Sequence, residues 1–200
     1  MGTDAATRIA ILFVALGLAS CAGPPESAPE PGPVHFFAED VRVTVLPGRL
    51  LVRGLYAFRN ESGETVAMGI RYPFPVDEAH AFPDTIHVSN ASLDPTVPLS
   101  FTSSESSILW PMEFAPDEEQ YVVVEYSQAL SDRRATYIVT TTAAWARPID
   151  VAEFRFRVPK NLGQVALSFT PDAVEDRGDT LVYRLSEERY LPETDLQIVW

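Results

Sequence analysis

Two hundred residues, 28 acidic against 15 basic side chains, a net charge of −13 and a single cysteine exclude several classes at once. The length indicates one domain, large enough to bury a core without a disulfide or metal staple. One cysteine forbids an internal disulfide and any multi-cysteine zinc or iron–sulfur site. The acidic balance argues against a nucleic-acid partner.

Met1 to Arg8 is short and polar, and Ile9 to Ala19 is an 11-residue apolar run that ends in small residues. That is the layout of a secretory signal. A helix of this length spans about 16 Å, too short for a bilayer core of about 30 Å, so a permanent transmembrane helix is disfavoured. The run closes on Leu18-Ala19-Ser20-Cys21. This motif resembles the lipobox of bacterial lipoproteins. The resemblance implies cleavage between Ser20 and Cys21 and covalent lipid on the Cys21 thiol; no other cofactor is expected. Two or more acyl chains anchor a protein stably where one does not. Ala22, following the cysteine, resembles the outer-membrane sorting pattern, so in a diderm host the protein is expected on the outer membrane, facing the periplasm.

Residues 22–33 contain five prolines, two glycines and no large apolar side chain. Such a stretch forms an extended spacer reaching about 37 Å. The organisation expected is therefore a signal peptide over 1–20, a lipidated tether over 21–33 and a globular domain over 34–200. Removing the signal takes one acid, Asp4, and one base, Arg8, so the net charge stays at −13. An acidic domain is repelled by anionic headgroups, which leaves the lipid as the contact with the membrane.

From Val34 the pattern has period two. Val41, Val43 and Val45 alternate with Arg42 and Thr44, and Leu50, Val52, Gly54, Tyr56 and Phe58 continue the alternation. Asn60 to Glu64 reads as a turn, with Thr65 to Tyr72 as the return strand of a hairpin. Tyr121–Tyr126, Thr136–Thr142 and Val151–Val158 read as further strands. In the last, Phe154, Phe156 and Val158 share one face and Glu153, Arg155 and Arg157 the other, as in a half-buried antiparallel sheet. Val165, Leu167 and Phe169, then Leu181, Tyr183 and Leu185, and finally Leu196 to Trp200 complete the series. No window after Cys21 holds a helical apolar stripe. The fold expected is all-β: a single antiparallel β-sandwich.

Tyr72-Pro73-Phe74-Pro75, the Trp110–Phe114–Pro116 spacing and the segment from Tyr137 through Trp145 and Pro148 to Ile149 resemble conserved blocks of an uncharacterised family of bacterial exported β-sandwich proteins. The similarity runs from Tyr56 to Pro159. It implies the fold and leaves the activity open.

Candidate chemistry is sparse. Asp77, His80, Asp84 and His87 fall within eleven residues and offer oxygen and imidazole donors for a divalent ion. Their spacing matches no metal motif, and a solvated connector explains them too. There is no serine in a G-x-S-x-G setting, and adjacent acids such as Asp117, Glu118 and Glu119 read as a solvated turn rather than a glycosidase pair. Tyr72, Trp110 and Trp145 could form a sugar-stacking surface or belong to the core. The function expected is a non-catalytic binding or envelope-assembly module, joined to the membrane by its lipid and meeting an envelope protein or glycan. The alternative is a periplasmic hydrolase using loop carboxylates, with or without a metal at residues 77–87.

Overall fold

The computed structural model describes residues 31–200. The signal, Cys21 and residues 21–30 of the tether lie outside the described residues. The chain forms β1 (Val34–Leu46), β2 (Arg49–Asn60), β3 (Val66–Pro73), β4 (Thr85–Asn90), β5 (Val97–Pro98), β6 (Thr102–Ser103) and β7 (Ser107–Phe114). It continues with β8 (Glu119–Ala129), β9 (Arg134–Tyr137), β10 (Ile149–Pro159), β11 (Ala166–Leu167), β12 (Ala173–Arg177), β13 (Thr180–Tyr190) and β14 (Leu196–Val199). Among the described residues the helical segments are two short 3-10 turns, Thr140–Trp145 and Lys160–Leu162. The all-β expectation holds.

Eight strands form one sheet in the order β12-β13-β10-β1-β2-β8-β4-β5, and two three-stranded sheets, β11-β14-β9 and β3-β7-β6, complete the fold. The large sheet obeys the period-two pattern. Val41, Val43, Val45, Phe154 and Phe156 are buried, while Arg42, Arg155 and Arg157 lie on its other side. That outer side is laced by ion pairs, such as Arg53 with Glu125 at 3.1 Å and Arg155 with Asp40 at 2.6 Å. The exposed pairs among them, such as Arg53 with Glu125, add little stability.

The inner side and both small sheets share one hydrophobic core. Ring contacts bridge the layers: Tyr56 to Tyr72 at 5.5 Å, Phe58 to Phe114 at 6.4 Å and Tyr137 to Phe154 at 6.0 Å.

Three local expectations need correction. The turn after β2 does not make a hairpin: β2 pairs with β1 and β8, and β3 pairs with β7 in another sheet. Asn60 explains the crossing. It is fully buried, and its side-chain amide donates to the carbonyls of Glu64 at 2.7 Å and Ala115 at 2.9 Å. Those bonds tie the end of β2 to the edge of the second layer. The strand expected over residues 136–142 stops at Tyr137, because Asp195 captures the next backbone amides. Asp195 Oδ1 accepts from the N–H of Val139 and of Thr140, each at 3.0 Å, and from the Thr140 hydroxyl at 2.9 Å. A 3-10 turn follows in place of a ladder. Third, one pair in the antiparallel fold is parallel, β1 with β10. The intervening chain builds the whole β3-β7-β6 sheet and strand β9 of the other small sheet before returning.

Candidate functional site: a polar cavity around Glu39

The inward face of β1 changes parity at a bulge. Phe36 pairs with Phe58 and Ala38 with Ala57, leaving Phe37 as the extra residue. Before the bulge Val34 and Phe36 are buried, and after it Glu39, Val41, Val43 and Val45 are. Bulges re-aim side chains in this way. Phe37 is covered on the outside by the Arg59 guanidinium, 4.7 Å from its ring centre. The consequence on the inside is a carboxyl directed into the core. Glu39 is 6% exposed and lies in register between Tyr56 of β2 and Ala152 of β10.

Around it is a cavity of about 60 Å³, lined by Phe36 and Glu39 of β1, Tyr56 and Phe58 of β2, and Ile70 and Tyr72 of β3. Trp110 of β7, Tyr137 of β9 and the 3-10 turn with Thr142 and Trp145 close the other sides. Asp195 holds that turn in place through the three bonds described above. The cavity reaches the surface beside Arg71 and Thr141, both exposed lining residues.

Its polar groups divide into satisfied and unsatisfied. The Tyr56 hydroxyl is within hydrogen-bond distance of Tyr72 Oη at 2.9 Å and Tyr137 Oη at 2.8 Å. By contrast, Glu39 Oε1 and Trp110 Nε1 are buried with no hydrogen-bond partner. Leaving a buried polar group unpaired costs about 1–3 kcal/mol, so two in one small cavity require an explanation.

Burial pushes the Glu39 carboxyl up to about 8. The Tyr56, Tyr72 and Tyr137 phenols are also pushed up, by burial first and with the Glu39 charge adding to it. At neutral pH these four groups are therefore uncharged. Arg71, the other charged lining residue, directs its guanidinium to Ser107 Oγ at 3.2 Å.

Gly54 makes this packing geometrically feasible. A Cβ at that position would lie 2.0 Å from the Tyr56 hydroxyl oxygen and 2.3 Å from Tyr56 Cζ. The Tyr56 ring therefore folds back over the space that Gly54 leaves on the same strand face.

The structure brings Tyr72, Trp110 and Trp145 together around this cavity. Tyr72 and Trp110 are buried, so these three rings form no exposed stacking surface. The donors proposed from residues 77–87 do not converge. His80 is buried with Nδ1 2.8 Å from Asp77 Oδ1, and Arg134 takes Asp77 Oδ2 at 3.0 Å. Asp84 is paired with Arg49 at 2.7 Å, and His87 lies opposite Glu125 on the β4–β8 ladder. Among the described residues no three histidine, cysteine, aspartate or glutamate side chains gather in a way that could hold a metal ion. The physical reason is the arginines: each aspartate is neutralised by a neighbouring guanidinium, and neither is left as a free donor.

Glu39 is the residue that sequence reasoning missed. It shares the parity of Val41, Val43 and Val45, so extending that alternation back by one step places a carboxyl on the buried face.

Residues 112–199 match a family model, a domain of unknown function, DUF4424. The matched segment supplies Tyr137 and the 3-10 turn of the cavity wall, whereas Glu39, Tyr56, Tyr72 and Trp110 precede it. The fold is similar to the crystal structure of a "putative nutrient binding protein" from Legionella pneumophila, at a TM-score of 0.60 and 15% identity, covering 86% of this chain and 67% of that one. It is also similar to an M1 zinc metallopeptidase from Deinococcus radiodurans, at a TM-score of 0.51 and 13% identity, covering 83% of this chain. Here the chain spans 42% of the length of the peptidase. At these identities the likeness is one of fold. No curated protein matches the sequence.

Proposed function

We propose that this chain is a non-catalytic binding module that takes a small ligand into the Glu39 cavity. In this reading the module is held at a membrane by lipid on Cys21, and in a diderm host it stands on the outer membrane facing the periplasm. The observation that carries it is the pair of buried, unpartnered groups in one cavity, Glu39 Oε1 and Trp110 Nε1. A ligand that bonds both would relieve the cost of leaving them bare. The protein of similar fold described as a "putative nutrient binding protein" agrees with this role. The hydrolase reading has less support, because Asp77 and Asp84 are occupied by Arg134 and Arg49. Within the cavity Glu39 is the one carboxyl, with no second acid or histidine among the lining residues.

Two measurements test the parts separately. Mixtures of small amines, acids, sugars and polyols added to the mature chain should shift the Trp110 indole N–H resonance, which has no acceptor in the empty cavity. If no class of compound moves it, the binding reading fails. For the anchor, Cys21→Ala should abolish sedimentation with membranes and leave soluble or uncleaved protein. A Cys21→Ala variant that still pellets with membranes contradicts the lipid anchor.

A further inference from the structure

The chemistry of the cavity narrows the ligand, on the premise that the cavity is a binding site. Glu39 contributes an oxygen with no partner, and Trp110 contributes an N–H that can only donate. The three phenols carry three protons, while the two bonds joining Tyr56 to Tyr72 and Tyr137 use two. The apolar walls are mainly aromatic: Phe36 and Phe58 are stacked at 5.1 Å, and Trp145 lies 5.8 Å from the first and 5.6 Å from the second.

We propose that the cavity binds a small primary ammonium compound carrying a neighbouring oxygen. The –NH3+ donates to the Glu39 carboxylate beside the rings of Phe36, Phe58 and Trp145, and the oxygen accepts from Trp110 Nε1–H.

Three considerations select this class. An ammonium offers three donors to a carboxyl that has none, and aromatic faces attract a cation, more strongly once it is desolvated. An anion would find no cation inside the cavity, because Arg71, the one basic lining residue, is exposed at the mouth with its guanidinium directed to Ser107. Size completes the selection, because about 60 Å³ holds on the order of five water-sized groups, enough for a two-carbon amino alcohol.

Charge is conserved by a proton. The empty site holds Glu39 protonated, since burial pushes it to about 8. When the ammonium binds at pH 7, the carboxyl gives one proton to solvent and the ion pair replaces the O–H bond. The groups facing Glu39 from other elements do not supply this proton. Tyr56, Tyr72, Tyr137 and Tyr190 are all phenols pushed upward by burial. Asp195 is engaged with Val139 and Thr140.

The test is titration calorimetry of 2-aminoethanol into the mature chain, in buffers of differing ionisation enthalpy and at several pH values. Ethylene glycol, acetate and tetramethylammonium serve as comparisons. The expected result is binding of 2-aminoethanol with release of close to one proton. Affinity should rise about tenfold per pH unit below pH 8, and each comparison compound should bind at least tenfold more weakly. Glu39→Gln should lose both the binding and the proton release. Binding without proton release, or binding retained by Glu39→Gln, overturns the ammonium assignment. Stronger binding of ethylene glycol or acetate also overturns it and leaves the cavity-binding function standing. No binding by any of the four overturns the assignment, and an unmoved Trp110 signal with the wider mixtures then removes the function as well.

Discussion

Glu39→Gln is expected to make the folded chain more stable at neutral and alkaline pH and to flatten its pH dependence. The sign follows from proton counting. Glu39 titrates at 4.5 in its ordinary state and is raised to about 8 by burial in the fold. Between those values the unfolded chain binds fewer protons than the folded one, so stability falls as pH climbs from about 4.5 to about 8. A difference of that size corresponds to about 5 kcal/mol once both values are passed. Glutamine has no proton to lose and removes this pH-dependent loss. Its own buried amide retains an unpaired-group cost of about 1–3 kcal/mol, so the net gain is smaller than the full figure. Urea midpoints at pH 5, 7 and 9 check the outcome. The native protein should weaken over the series relative to the variant, and the two should converge toward pH 5. Exposed acids held low by hydrogen bonds, among them Asp77 to His80 and Glu61 to Arg147, are shared by both proteins and cancel in the comparison. Parallel curves would mean that Glu39 is ionised and compensated in the fold. The expected pattern is that of a residue retained for a site at the expense of stability.

Gly54→Ala is expected to be the most damaging single-methyl change in the large sheet. The added Cβ overlaps the Tyr56 ring, which would have to leave its place over Gly54. Overpacking of a core costs about 1–3 kcal/mol. Displacing the ring also breaks the hydroxyl bonds to Tyr72 and Tyr137, at about 0.5–1.5 kcal/mol each. Replacing glycine within a strand returns about 0.5–1 kcal/mol, leaving a net loss of about 1–5.5 kcal/mol. Tyr56→Phe is the control, because it removes the hydroxyl bonds without the clash and should fall between native and Gly54→Ala. Thermal and urea unfolding of the three proteins give the order directly. A Gly54→Ala protein as stable as native would mean that Tyr56 does not pack over Gly54.

The strands were readable because burial on one face writes itself as alternation. Val41, Val43 and Val45 fixed the face of β1, and Phe154, Phe156 and Val158 fixed that of β10. The pairing of those two strands was not readable. They meet in parallel after more than a hundred intervening residues, and nothing local to either sequence specifies the partner. The turn from Asn60 to Glu64 has hairpin chemistry, yet the bonds that direct it are made by the Asn60 side chain to a distant edge. Similarly, residues 138–142 have strand composition, and a carboxyl more than fifty positions away, Asp195, bends them into the cavity wall.

The site was partly legible for the same reason. Tyr72, Trp110 and Trp145 stand out in the sequence as aromatic, but their meeting depends on β3, β7 and the 3-10 turn packing over the large sheet. Glu39 has the parity of the buried valines, while the bulge at Phe37 breaks the alternation on its other side and hides that parity. The 77–87 cluster failed for a different reason. Composition gathers its acids in sequence, whereas Arg49 and Arg134, brought from β2 and β9, take them individually.

The most direct test is a carbon-13 NMR titration of the Glu39 side-chain carboxyl in the mature chain, with and without 2-aminoethanol. A midpoint near pH 8 in the free protein that moves down on adding the amine is the predicted result. A midpoint near the ordinary 4.5 in both samples would contradict the account, because it would mean that the carboxyl is already charged and satisfied in the empty fold.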